Sequence, residues 1–156
     1  MPHVFEGNLD AGAARWAIAV ARYNEHITKR LLDGALETLK KHGAADDKVD
    51  VFWVPGAFEL PTVAARAAES KKYAAVICLG AVIRGETTHD QHINTAMSHF
   101  FAEIGVRTGV PALFGVLTCE TLEQALHRAG GNVGNKGAEC AEAALRMADL
   151  LKQMKS

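Results

Sequence analysis

Four short, nearly continuous apolar runs, each followed by a segment of helical spacing, constrain this 156-residue chain more than any other feature. Trp16 to Val20, Val49 to Val54, Ala74 to Leu79 and Ala112 to Leu117 read as strands. Their lack of polar alternation predicts cover on both faces, as in a parallel sheet. Ile27, Leu31, Leu32, Ala35, Leu36 and Leu39 recur at helical spacing, with Gly43 as the expected stop. Pro61 to Ala68 predicts an alanine-rich helix after the second run. Ile93, Ala96, Met97, Phe100, Phe101 and Ile104 make an inward stripe after the third. Thr121-Leu122-Glu123-Gln124 has capping-box form ahead of Ala125, Leu126 and Ala129. Gly137 to Met154 predicts a last helix with Ala141, Leu145, Ala148 and Leu151 inward. Repetition of β-α points to a three-layer αβα sandwich around a central four-stranded parallel sheet. Val4-Phe5-Glu6 is either an N-terminal edge strand or an arm that pairs with another subunit.

The length suits one domain with a substantial core, and 49% hydrophobic residues argue against disorder. A net charge of -1, with basic residues scattered, gives no electrostatic case for nucleic acid or an anionic membrane surface. No apolar run is long enough for a bilayer, and Met1 to Glu6 lacks the features of a signal peptide, so cytoplasm is the expected compartment. Cys78, Cys119 and Cys140 have no paired spacing, which disfavours a disulfide framework or zinc cluster. Cys78 and Cys140 read as packing. Cys119 ends a strand and is the candidate reactive thiol, against the commoner reading of burial. Gly130 to Gly137 reads as a flexible joint between the last two helices. It is not a Walker loop, and no G-x-G-x-x-G follows a strand.

The polar residues with chemical potential all follow strands. Val76-Ile77-Cys78-Leu79-Gly80-Ala81-Val82-Ile83-Arg84-Gly85-Glu86-Thr87-Thr88-His89 takes a buried strand through a polar turn into a helix. That is where α/β proteins place anions. Gly85 permits close backbone approach, and the backbone N–H groups of Glu86, Thr87 and Thr88 favour a phosphate. His89 can exchange protons near neutral pH; it is otherwise a capping or core histidine. Arg84 is an ion-pair partner or a solvated residue. After the first strand, Tyr23 either stacks on a flat ring or packs over the sheet edge, and Asn24 is expected to cap the next helix. After the second, Pro55 to Pro61 fixes a rigid turn around Ala57, Phe58 and Glu59. Glu59 is paired, a ligand group, or a carboxylate favoured by the helix dipole. His92 and His99 with His89 raise a metal site, but the spacing lacks H-E-x-x-H, and they read as a polar flank. Phe114 reads as core. Arg128 suits a last helical turn, or a phosphate on a neighbouring subunit.

Ala21-Arg22-Tyr23-Asn24, Trp53 to Pro61, Leu79 to His89, Phe114 to Thr118, Glu123 to Gly130 and Gly134-Asn135-Lys136-Gly137, in that order, resemble the lumazine synthase family over nearly the whole chain. The resemblance implies a flavodoxin-like fold. It implies condensation of 5-amino-6-(D-ribitylamino)uracil with 3,4-dihydroxy-2-butanone 4-phosphate, without metal or redox cofactor. It gives Tyr23 the place of a ring, usually phenylalanine, that stacks on the pyrimidine. Ala57, Phe58, Glu59, Ala81, Val82 and Ile83 match the pyrimidine and ribityl segment. Glu86 and Thr87 match the phosphate cradle and His89 the proton-transfer residue. Phe114 and Arg128 match groups lent by an adjacent subunit, and Lys136 a lysine near the site. Homopentamers, shells of pentamers with icosahedral symmetry, and association with riboflavin synthase are further implications.

Asp90-Gln91-His92 and Asn132 depart from the family pattern, where aromatic residues and lysine are common. Local chemistry alone also suits a flavin- or phosphate-holding module, or an inactive shell protein.

Overall fold

The computed structural model describes residues 1–84 and 89–155, with His89, Asp90 and Ile93 described by their backbone alone. Strands β1 (Trp16–Ala21), β2 (Val49–Val54), β3 (Ala75–Ile83) and β4 (Ala112–Cys119) form one parallel sheet in the order β2-β1-β3-β4. The helices are α1 (Glu25–Lys41), α2 (Leu60–Glu69), α3 (His89–Thr108), α4 (Leu122–Arg128) and α5 (Lys136–Met154). α1 and α5 cover one face of the sheet, α2 and α3 the other. This is the expected three-layer αβα sandwich, with flavodoxin-like strand order.

The alternation along β1 explains how the layers differ. Trp16, Ile18 and Val20 enter a core of large side chains with Ile27, Leu31 and Leu145. Ala17, Ala19 and Ala21 face Ala64, Ala67 and Ala68 of α2. Small residues on both sides of that seam let α2 pack close to the sheet. β1 is buried throughout, as is β3 as far as Ala81. β2 departs from the expected double cover: Val49, Val51 and Trp53 are half-buried and Phe52 is 37% exposed. The cause is its place at the sheet edge, where only one neighbouring strand lies beside it.

Four further expectations need correction. β3 does not stop at Leu79 but runs to Ile83, beside β4. Ala96 and Phe100 are exposed, because the described inward stripe of α3 is Asn94, Met97, Phe101 and Ile104. Val4-Phe5-Glu6 adds no strand to the sheet. Polar groups of α5 hold the adjoining backbone instead: Gln153 donates to the Glu6 carbonyl at 2.7 Å, and Asn8 N–H donates to Asp149 at 2.8 Å. The joint after α4 is a small antiparallel hairpin of β5 (Ala129–Gly131) and β6 (Gly134–Asn135). Gly43 follows the end of α1 with φ +100°, the stop expected of it. The Thr121 hydroxyl accepts from Gln124 N–H at 3.2 Å. The Gln124 side chain returns to Glu120 N–H at 2.9 Å, one residue before the usual capping-box partner.

α1 and α5 cross at Gly137, where a Cβ would fall on the Leu31 carbonyl oxygen. Neither backbone can yield without moving a helix. Gly137→Ala is expected to lose about 1–3 kcal/mol of stability, read as a lowered denaturant midpoint; an unchanged midpoint would contradict this packing.

At the amino edge of the sheet, Asp50 accepts from Tyr73 at 2.6 Å and pairs with Arg15 at 3.0 Å. The Tyr73 hydroxyl first, then the Arg15 guanidinium, hold the Asp50 carboxyl below its ordinary value. A depressed carboxyl stabilises the fold above its unfolded pKa, about 3.9, and that contribution fades as pH falls through the folded value. Asp50→Asn is therefore expected to melt below the wild type at pH 7, with the gap closing on acidification below about pH 4. A gap independent of pH would sink this assignment.

Candidate functional site at the carboxyl edge

In an open parallel sheet the ligand crevice lies at the strand carboxyl ends, where the strand order reverses. Here that point lies between β1 and β3, because β2 follows on one side of β1 and β3 on the other. β1 ends at Ala21, while β3 continues past the last paired residue, Leu79, along β4. The chain after β1 stays with β2: Arg22 N–H donates to Val54 O at 2.8 Å, and Tyr23 N–H to Pro55 O at 3.0 Å. The sheet therefore opens beyond Ala21.

Asn24 spans that opening. Its Nδ2 donates to Ala81 O at 2.8 Å. The side chain does not cap α1 as expected, because a left-handed backbone (φ +61°) turns it toward the sheet. The backbone carbonyl of Asn24 instead accepts from Ile27 and Thr28 N–H. Tyr23 is 73% exposed beside this link, free of any core role. Arg22 lies over the Trp53 ring, 4.6 Å from its centroid, and pairs with Glu25 at 2.9 Å.

The second wall is a 3-10 turn, Ala57–Glu59, ahead of α2. It seats on β3 at Gly80, where a Cβ would lie 3.3 Å from Leu60 and 3.5 Å from Ala57. Phe58 is 65% exposed. Glu59 is half-buried; its backbone N–H donates to Gly56 O at 3.2 Å, while its carboxylate forms no hydrogen bond or ion pair among the described residues. A carboxylate so placed is available to accept from a ligand. Ala81 is buried, and Val82 and Ile83 are half-buried along the same edge. Arg84 takes the ion-pair option, 3.3 Å from Glu120.

Gly85, Glu86, Thr87 and Thr88 lie outside the described residues, as does the His89 side chain; the His89 backbone opens α3. Tyr23, Asn24, Ala57, Phe58, Glu59, Ala81, Val82 and Ile83 thus come together from three strand ends. Phe114 does not join them. It pairs with Cys78 in mid-sheet and packs edge-on to Phe101 at 5.6 Å. The carboxyl end of β4 at Cys119 is about 16 Å further, at about 3.3 Å per residue. Arg128 ends α4, exposed, without an ion pair among the described residues, and Lys136 opens α5 half-buried.

All three cysteines are buried and free, Cys119 included. Burial pushes the Cys140 thiol up to about 11, and Cys78 further still. His92 and His99 are exposed, and no group of three metal-ligating side chains occurs among the described residues. No helix among them is long and apolar enough to cross a membrane. Asn94 of α3 and Thr118 of β4, not among the residues expected to matter, carry buried side-chain oxygens. The signal for Asn94 was its spacing, three residues before Met97 and seven before Phe101.

A family model described as 6,7-dimethyl-8-ribityllumazine synthase matches residues 13–152, which takes in every strand of the sheet and the whole carboxyl edge. The chain accordingly belongs to the 6,7-dimethyl-8-ribityllumazine synthase family, transferases of riboflavin biosynthesis.

Proposed function

We propose that the chain condenses 5-amino-6-(D-ribitylamino)uracil with 3,4-dihydroxy-2-butanone 4-phosphate to give 6,7-dimethyl-8-ribityllumazine and phosphate. The observation that carries this reading is the opening between β1 and β3, bridged by Asn24 and walled by Tyr23 and Ala57–Glu59. The exposed Tyr23 ring stacks on the pyrimidine. Its hydroxyl, absent from phenylalanine, takes water as partner. The Ala57–Glu59 turn and Ala81 to Ile83 hold the pyrimidine and the ribityl chain, with Glu59 accepting from hydroxyl groups.

The 5-amino group attacks the ketone, and water leaves as the Schiff base forms. Loss of a proton from the adjacent carbon then drives out phosphate and leaves an enol, which takes a proton at its terminal carbon and releases its hydroxyl proton to become a ketone. The ribityl-bearing nitrogen attacks the new carbonyl, and a second water leaves as the ring closes. His89 carries protons at the start of α3. Glu86 and Thr87, with Gly85, cradle the phosphate through backbone N–H groups. Positioning and proton transfer supply the rate, with no call on a cofactor.

Phe114 and Arg128 serve the site of an adjoining subunit, Arg128 on the phosphate and Lys136 nearby. The mid-sheet place of Phe114, against Phe101 and short of the strand ends, supports this division for that residue. Surfaces suited to association are present: among the described residues no strand pairs with the outer edge of β2, where Phe52 is exposed, and Val4 and Phe5 are exposed on the N-terminal segment. A homopentamer, and a closed icosahedral shell of pentamers, complete the reading. Light scattering should give a mass at least five times that of one chain, and a monomer would contradict shared sites.

Lumazine absorbance from the two substrates tests the activity. His89→Ala should lower kcat by about 10²–10⁴-fold while pyrimidine binding persists. Arg128→Ala should raise KM for the phosphorylated ketone far more than for the pyrimidine. Wild-type kinetics in both variants would overturn the site assignment, and binding without product would favour a ligand-holding module.

A further inference from the structure

Two side-chain oxygens on the α2/α3 side of the sheet, Asn94 Oδ1 and Thr118 Oγ1, are fully shielded from solvent and have no hydrogen-bond partner among the described residues. Trp16 Nε1 shares that condition, but on the opposite face. A buried polar atom left alone is costly, so each such atom calls for an explanation.

The two oxygens lie at the same level of the fold. Phe101 of α3 touches Phe114 of β4 at 5.6 Å. Asn94 is seven residues nearer the start of α3, about 10 Å at about 1.5 Å per residue. Thr118 is four residues nearer the carboxyl end of β4, about 13 Å at about 3.3 Å per residue. A crossover helix runs antiparallel to the strands it joins, so both displacements point the same way. Thr118 stands on the same face as Phe114 and Val116, opposite Val82 in register. Asn94 continues the inward stripe of Met97, Phe101 and Ile104. A water donates to the amide oxygen and accepts from the hydroxyl, so a single molecule satisfies both.

We propose that one ordered water bridges Asn94 Oδ1 and Thr118 Oγ1, ties the opening turns of α3 to β4 and so sets where the backbone of His89 stands at the carboxyl edge. The inference deepens the reading of His89 as the proton-transfer residue and rests on it. Below this level, Met97, Phe101 and Ile104 fix only the distance of α3 from the sheet, since apolar packing is non-directional. A hydrogen bond has a narrow range of length and angle and also fixes the helix along its axis and in rotation. His89 is five residues from Asn94, under two turns. Asn94 and Thr118 are positioning residues, not catalytic ones.

The test uses Thr118→Val, Asn94→Leu, their combination, and Thr118→Ser, in the full-length assembled protein. Each apolar single variant should lose about ten- to a hundredfold in kcat, with little change in KM for either substrate and a displaced pH profile of kcat. Thr118→Ser should restore both. The denaturant midpoints should be non-additive, because the double variant leaves no orphaned partner. Should a single variant fail to fold, the double variant decides: recovered stability with depressed kcat supports the proposal. Recovery of kcat together with stability would make the pair merely structural and overturn it, as would additive midpoints or wild-type turnover in the single variants. His89→Ala measured alongside separates the two claims: wild-type turnover there sinks the proton-transfer reading, while non-additive midpoints would still report the pair.

Discussion

The architecture turns on unequal strand lengths at one edge of a parallel sheet. β3 and β4 continue together past the point where β1 ends, and the chain after β1 turns away along β2. Backbone groups along such a gap need partners. Asn24 supplies one through its side chain, on Ala81, and its left-handed backbone is the conformational cost of that reach. The gap is thereby held open at a fixed width, with Tyr23 on one lip and the buried Ala81 on the other. A site built on strand ends inherits the rigidity of the sheet.

The two faces of the sheet do different work. The face toward α1 and α5 is a core of large side chains, closed at Gly137 by backbone on backbone. The face toward α2 and α3 is lined with alanine under α2, which brings the Ala57–Glu59 turn down onto Gly80. The same face carries Phe114, Thr118 and the inward side of α3, so it governs where the helix that opens at His89 sits. Phe114 sits in mid-sheet on that face, against Phe101 of α3 and away from the strand ends.

Much of this was legible in the sequence. Val49–Val54 was bounded correctly by its apolar run, and the helices followed from spacing. The failures share a cause: each involved a tertiary partner with no local signature. Gly80 reads as a strand stop, yet it is a bare patch on which a neighbouring turn packs, and β3 passes through it. Asn24 reads as a cap, yet its partner is 57 residues away. Phe100 reads as core by spacing, but Asn94 set the true stripe. Val4 to Glu6 reads as an edge strand or an arm toward another subunit; the edge strand does not form, and groups of α5 at the other end of the chain hold Glu6 and Asn8. Gly130 to Gly137 reads as loose because glycine is permissive, while the hairpin it forms depends on cross-strand pairing.

The central claim is that one active opening takes residues from two chains. Co-expression of His89→Ala and Arg128→Ala subunits tests it directly, with lumazine formation measured at low concentration of the phosphorylated ketone. Mixed assemblies contain junctions in which an intact His89 meets an intact Arg128, so the account predicts turnover well above that of either parent assembly. Mixed assemblies no more active than the average of the parents would contradict it.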